Sequence, residues 1–478
     1  MKVVLVNPSI THGMRSAIDV EGAWPPLGLL YLATMLKEGG VPVEIFDNGP
    51  LGYSPEQLLK QIRSKKPDIV GFHTLSMSSL TANETSKLIK RDMPNIKVLY
   101  GGYHATVFHQ KILREREYVD VVIRGEGEHT LIEVVDSIEK GKSLEGIRGV
   151  SFRDEGRIRV NPTRPPIEDL NSIPFPDPGF LDSEYVGTVN GMRTAVRKFT
   201  SMVTSRGCPL NCRFCCESVH ELRTWRVRSP ENVVEELSYL KSLGYGQMYL
   251  QDDSFTLDRK RVNEICRLIK REKLDILWAA MARVNNATAD LMQRMREAGC
   301  QSVYFGIENA NQRILDYYRK GITQEMAKDA VKNCINAKMD AFGGFILGAP
   351  TETEDEMWKT IRFAEEIGIT FPSFYILQAY PGTAIWNENV ANGYIKEDEY
   401  WETGVALPEV VPECIPMARI KTILGNGYRH VLTRPKFILE QASKLFMDPV
   451  RRQILLKNLN MRKIINLLNM LQRSEHYY

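Results

Sequence analysis

Short apolar runs alternate with amphipathic stretches from the first residue to about residue 150, and this rhythm constrains the fold more than any other feature. Lys2–Asn7, Pro42–Phe46, Ile69–His73, Lys97–Tyr100 and Val119–Ile123 read as strands, rich in Val and Ile. Leu27–Glu38, Ser54–Ser64, Ser79–Met93 and His129–Glu139 carry apolar residues at helical spacing. Parallel strands need crossover connections, so the expectation is an α/β, Rossmann-like parallel sheet with helices on both faces. From Phe199 the alternation resumes, as a partial TIM-like (β/α)6 barrel requires. Between them, six prolines from Pro162 to Pro178 break both helix and strand. The expected organisation is therefore a first domain over 1–160, a linker over 161–198, a barrel over 199–400 and a basic helical domain over 401–478.

The cysteines narrow the chemistry. Three fall at spacings of four and three in Cys208-Pro-Leu-Asn-Cys212-Arg-Phe-Cys215. A cubane [4Fe–4S] cluster normally takes four thiolates, so three leave one iron open to another ligand. A structural zinc knuckle or plain core cysteines are the competing readings, but zinc wants a second Cys/His pair and only His220 follows. The other five cysteines (Cys216, Cys266, Cys300, Cys334 and Cys414) form no disulfide framework, which points to a reducing, cytoplasmic setting. The amino terminus reads as a strand and not a signal peptide, and no apolar run approaches the ~20 residues that span a bilayer.

Charge is unevenly placed. Residues 415–478 hold twelve lysines and arginines against three acids, a net +9, and the rest of the chain carries −6 within an overall +3. Ile454, Met461, Ile465 and Leu468 stand at near-helical spacing among these cations. Such a helix suits an acidic protein or an anionic membrane surface, and equally a small helical cover for the barrel. Nucleic acid is not expected, because the basic stretch has few aromatics and an acidic body beside it.

With Phe214 before its last cysteine, the Cys208/Cys212/Cys215 motif resembles the radical S-adenosylmethionine (SAM) enzymes. The resemblance continues through the barrel strand ends. It implies that the open iron chelates SAM and that the reduced cluster generates a 5′-deoxyadenosyl radical. Asp252 and Asp253 match the acidic motif for the SAM amino group, Arg283 the methionyl carboxylate and Glu308 the ribose hydroxyls. Glu352 and Glu356 read as solvated acids at a helix start. Tyr380, in the last strand-end segment, is the candidate for the chemistry itself; no other catalytic side chain is assigned.

The loops of the first domain, in their order, resemble the cobalamin-binding domain of B12-dependent radical SAM enzymes. Pro25-Pro26-Leu-Gly28, Val70-Gly71, Gly101-Gly102-Tyr-His104-Ala-Thr106 and Gly125-Glu126-Gly127 carry the likeness. It implies a corrinoid tail between the loops after the third, fourth and fifth strands, with Ser76, Ser78 and Thr106 offering hydroxyls. The Asp-x-His-x-x-Gly signature that supplies a lower cobalt ligand is absent, since the first strand runs into Asn7-Pro-Ser-Ile-Thr-His12. His73 and His104 at strand ends are expected to hydrogen-bond backbone or phosphate rather than cobalt.

Together these resemblances imply a cobalamin-dependent C-methyltransferase. Its cofactors would be a [4Fe–4S] cluster, SAM and cobalamin, with a methyl passing from methylcobalamin to an unactivated carbon after hydrogen abstraction. A cyclase or rearrangement enzyme without methyl transfer is the alternative. The expected partners are a substrate of unassigned class (peptide side chain, lipid or small metabolite) and an external low-potential electron donor.

Overall fold

The computed structural model describes residues 1–10, 24–189, 192–219, 224–403, 415–435, 437–439, 442–443 and 449–458. Met1–Glu184, joined by a segment that begins at Asp398, form one compact unit, and the chain from Tyr185 to Glu397 belongs to the other.

In the first unit, β1 (Val3–Asn7), β2 (Val43–Asp47), β3 (Ile69–His73), β4 (Lys97–Gly101) and β5 (Val121–Ile123) run parallel. Their order is β2-β1-β3-β4-β5, so the direction of winding reverses between β1 and β3. Ligands on such sheets sit at the carboxyl ends beside that switch point. Val3, Val4, Leu5 and Val6 are all buried, because helices cover both faces of β1.

Two features depart from the sequence reading. The sheet continues through β6 (Val150–Asp154) and β7 (Arg157–Val160), which pair antiparallel. Glu155 and Gly156 both take positive φ (46° and 80°), the condition for a two-residue turn that folds one strand back on the next. A helix, Tyr103–Glu115, also follows Gly101-Gly102 directly. Gly102 sits at φ +94°, and a Cβ there would stand 2.8 Å from both the Thr74 carbonyl and the His73 ring. Only glycine permits that close turn.

The proline-rich stretch lies against the first unit. Asp177 accepts from Lys37 at 2.9 Å, and its own N–H donates to Thr34 Oγ1 at 2.9 Å. The Ile167 N–H donates to Glu126 at 2.6 Å.

The second unit is built on six parallel strands in sequential order: β8 (Phe199–Met202), β9 (Gln247–Leu250), β10 (Leu277–Ala282), β11 (Cys300–Glu308), β12 (Asp340–Leu347) and β13 (Phe371–Ile376). Helices Pro230–Ser242, Arg259–Arg271, Ala289–Glu297, Gln324–Asn336 and Glu354–Glu366 alternate with them. Six strands in this order form the partial barrel expected from the sequence.

The start of the basic region is part of this unit. In the helix Met417–Leu432, Ile420, Ile423, Leu424 and Val431 are buried in the barrel core. Tyr428 covers the edge strand: its hydroxyl accepts from the Phe374 N–H at 2.8 Å and donates to the Phe374 carbonyl at 3.1 Å. Of the residues proposed for a terminal amphipathic helix, Ile454 lies within the helix Pro449–Asn458, whereas Met461, Ile465 and Leu468 lie outside the described residues. No described helix is long and apolar enough to cross a membrane. Ending the chain at Pro416 should strip these buried side chains from the barrel and give aggregated protein. A soluble, monomeric truncation with an unchanged melting temperature would contradict this packing.

Candidate active site

The cysteine loop leaves β8 and is fastened at both ends. At its start the Asp252 carboxylate, fully buried, accepts from the Thr204 N–H (2.6 Å), Thr204 Oγ1 (2.5 Å) and Ser205 Oγ (2.6 Å). Arg261 donates to the Thr204 carbonyl at 2.7 Å. Further on, the Arg213 N–H donates to the Tyr318 carbonyl (3.0 Å), and its guanidinium pairs with Glu388 (2.6 Å) across the ring of Tyr317. Phe214 packs edge-on against Tyr318 with ring centroids 5.3 Å apart.

Between these anchors Cys212 is buried, while Cys208 and Cys215 are half-buried. Burial raises the Cys208 thiol and pushes Cys215 up to about 12. Thiolates at this loop therefore need a nearby positive centre, which iron supplies. Among the described residues no three His, Cys, Asp or Glu side chains converge on a single-ion site. A cubane takes its thiolates at separate iron corners and does not require that convergence.

The strand ends beyond the loop carry a second group of polar atoms. Arg283 follows β10 and is buried; its Nη2 donates to the Lys320 carbonyl, and its Nε has no partner. Ser201 Oγ, Ser254 Oγ and Thr256 Oγ1 are likewise buried and unpartnered. Each such group costs roughly 1–3 kcal/mol unless a ligand satisfies it. Asp253 is exposed, and its charge acts on Cys208.

Glu308 ends β11 in the left-handed region at φ +67°, where the pairing with β12 shifts register. Its carboxylate folds back over Gly306 to meet Lys320 Nζ at 2.6 Å. A Cβ on residue 306 would lie 2.5 Å from that carboxylate and 2.8 Å from the ammonium, so the glycine makes room for the ion pair. Lys320 Nζ also stands 5.9 Å from the Phe214 ring.

Tyrosines line the interior. Tyr304 and Tyr375 hydroxyls lie 3.3 Å apart, and Gly344 leaves space for the Tyr304 hydroxyl. Burial raises Tyr249 and Tyr304 well above the usual phenol value and takes Tyr380 to about 12. Tyr380 also feels Cys215 and Cys216, which places it beside the cysteine loop.

Comparison with known proteins identifies the parts. The radical SAM superfamily model matches residues 202–364, and the B12 binding domain model matches residues 16–135. The radical SAM methyltransferase TsrM from Kitasatospora setae, solved with cobalamin and a [4Fe–4S] cluster, superimposes with a TM-score of 0.66 at 19% identity. That alignment covers 82% of this chain and 75% of TsrM, and it shows a shared fold. An uncharacterized methyltransferase of Pyrococcus horikoshii, PH0819, is 36% identical over 441 residues, covering 92% of this chain and 94% of the relative. The chain belongs to the cobalamin-dependent radical SAM methyltransferase family. An anaerobic magnesium-protoporphyrin IX monomethyl ester cyclase of Rubrivivax gelatinosus is also similar, at 28% identity over 95% of this chain and 81% of the cyclase.

As a member of this family the protein is an enzyme that works with a [4Fe–4S] cluster, SAM and cobalamin. The loops of the first unit fit a corrinoid. Ser76 Oγ and His104 Nδ1, after β3 and β4, are buried without partners, and a side chain on Gly125 (φ +71°) would meet nothing within 4 Å. Other residues of the expected site are engaged within the protein. Ser78 Oγ accepts from the Leu75 N–H (3.2 Å), Thr106 Oγ1 from the Gly125 N–H (3.0 Å) and Glu126 from Ile167. Gly101 lies 3.8 Å from the Ile123 carbonyl by its would-be Cβ, and Gly127 packs on Leu32. His73 is buried and held below its usual value by desolvation, with Nδ1 3.4 Å from Asn7 Oδ1. His12 lies outside the described residues.

Two residues were given no such role from the sequence. Lys320 sits in a loop, where nothing local signals an ion pair. Glu352 corrects an expectation: it is fully buried, not solvated. It accepts from Asn309 Nδ2 (2.7 Å) and the N–H groups of Gly348 (2.7 Å) and Ala349 (3.1 Å). The neighbouring Gly348-Ala-Pro turn, which leaves N–H groups unpaired by β structure, was the available signal. Glu356 does cap its helix, accepting from Thr353 N–H at 2.9 Å.

Burial raises the Glu352 carboxyl from 4.5 to about 7. Between those values the folded chain holds one more proton than the unfolded chain, so this group makes stability fall as pH rises from about 4.5 to about 7. Glu352→Gln should remove that slope, with the variant gaining on the parent by on the order of 3 kcal/mol between pH 4 and pH 8. Denaturant titrations across that range check it; parallel curves would contradict it. At the cluster, anaerobic reconstitution of the Cys208/Cys212/Cys215→Ala protein should leave almost no iron. Cys216→Ala should retain about four irons per chain.

Proposed function

We propose that this enzyme is a C-methyltransferase that moves a methyl group from cobalamin to an unactivated carbon after abstraction of a hydrogen atom. The observation that carries the reading is the full-length likeness to a methyltransferase in a chain with both a three-cysteine loop and a B12 binding domain. When bound, the cluster and SAM supply a 5′-deoxyadenosyl radical and cobalamin supplies the methyl.

The chain's own residues position and shield. Asp253, Arg283 and Glu308 hold SAM, and the unpartnered Arg283 Nε supports this. Asp252, matched to the same motif, positions the loop through Thr204 and Ser205 and does not itself touch SAM. Lys320 keeps Glu308 aimed. Tyr304, Tyr375 and Tyr380 stay protonated near neutrality and offer hydrogen bonds to substrate; capture of a methyl by a carbon radical calls for no base. The substrate is a peptide side chain, lipid or small metabolite, electrons come from an external low-potential donor, and the reducing cytoplasm suits the cluster. The basic carboxyl-terminal region faces an acidic protein or membrane surface.

Ring closure without methyl transfer is the second reading, favoured by the likeness to the Rubrivivax cyclase. Anaerobic incubation of reconstituted enzyme with methyl-labelled SAM and cell extract separates them. C-methylation should give S-adenosylhomocysteine and 5′-deoxyadenosine in equal amounts with label in an extract component. Deoxyadenosine without S-adenosylhomocysteine would instead support ring closure.

A further inference from the structure

The matched B12 binding domain ends at residue 135, yet a segment more than 250 residues later packs into the same unit. It belongs to the short helix Glu397–Thr403. Trp401, buried, stacks on His104 with ring centroids 5.9 Å apart and planes 7° from parallel. The Arg116 guanidinium and the Lys111 ammonium lie 4.8 Å and 5.4 Å from the indole. Lys111 is held by Asp398 at 2.6 Å, and Arg116 donates to the Trp401 carbonyl at 3.3 Å. Phe108 packs on Trp401 at 5.6 Å, and Tyr400 lies beside both Phe108 and Ser76.

Three buried polar atoms on this wall have no hydrogen-bond partner: Ser76 Oγ, His104 Nδ1 and Trp401 Nε1. They come from three separate pieces of chain. One orphan is an accident of packing, but three in one aromatic cluster call for a ligand that brings acceptors. Burial and Arg116 hold His104 near 4, so its imidazole is neutral and carries a single N–H. Arg116 and Lys111 add positive potential. The ligand that fits is an aromatic base joined to an anionic phosphate.

We propose that Trp401, His104 and Ser76 form the hydrogen-bonding wall for the nucleotide tail of cobalamin, so that the 398–403 segment completes the corrinoid site. The aromatic faces suit the benzimidazole, and the unpartnered donors suit the phosphate and ribose oxygens. His104 thereby contacts the tail and not the cobalt. The proposal rests on cobalamin binding and is independent of methyl transfer.

Cobinamide, which has the corrin ring without the nucleotide tail, isolates the wall. Apo full-length protein would be titrated with hydroxocobalamin and with cobinamide, and bound corrinoid read by absorbance after gel filtration. Trp401→Phe keeps the ring packing and removes the N–H. It should weaken cobalamin ~5–10-fold and leave cobinamide within ~2-fold. Ser76→Ala, which disturbs no packing, should act in the same direction. Equal weakening of both corrinoids, or unchanged cobalamin affinity in both variants, overturns the proposal while leaving the cofactor assignment intact. A parent chain that binds neither corrinoid overturns both.

Discussion

The cysteine loop depends on one buried carboxylate. Asp252 has no exposed surface, and its oxygens are taken by Thr204 and Ser205, the residues that launch the loop from the first barrel strand. An ion at such depth is tolerated only when hydrogen bonds replace its hydration. Arg261 answers the charge from the next helix and binds the Thr204 carbonyl. The result is a rigid takeoff point, set by the register of β8 and β9, from which Cys208 is four residues distant. Without it, a glycine- and proline-containing loop would have no reason to present three thiols together.

The far end of the site uses strain instead. Glu308 adopts a backbone conformation that costs a non-glycine residue of order 1 kcal/mol or more, and the ion pair with Lys320 retains it. Gly306 is part of the same arrangement, because any side chain there would collide with both charges. The strand bulge, the glycine and the lysine thus form one device that points a carboxylate across the strand ends.

Low dielectric surroundings then decide what the interior groups can do. Thiols and phenols are driven toward their neutral forms by burial. The thiols become anionic only against metal, and the phenols remain hydrogen-bond donors. An interior with such groups and no ready base suits chemistry by carbon radicals, which is quenched by stray protons and water less than ionic chemistry is but must be shielded from other hydrogen donors.

The strand and helix order, the three-cysteine spacing and the polar strand ends at residues 252, 283 and 308 were legible in the sequence. Each is a local pattern, set by periodicity of two or 3.6 residues or by spacing within one loop. The uses of individual side chains were not. Asp252 and Asp253 are adjacent, yet one is buried in the loop anchor and the other is exposed, because successive residues leaving a strand point opposite ways. Glu352 reads like any acid before a helix until the Gly348 turn closes over it. Trp401 stands beyond the barrel in the chain, and only the return of its segment to the first unit sets it against His104. Contacts across nearly 300 residues leave no periodic trace, so the sequence determined the elements and their chemistry, and tertiary packing decided which side chains carry structure and which face a ligand.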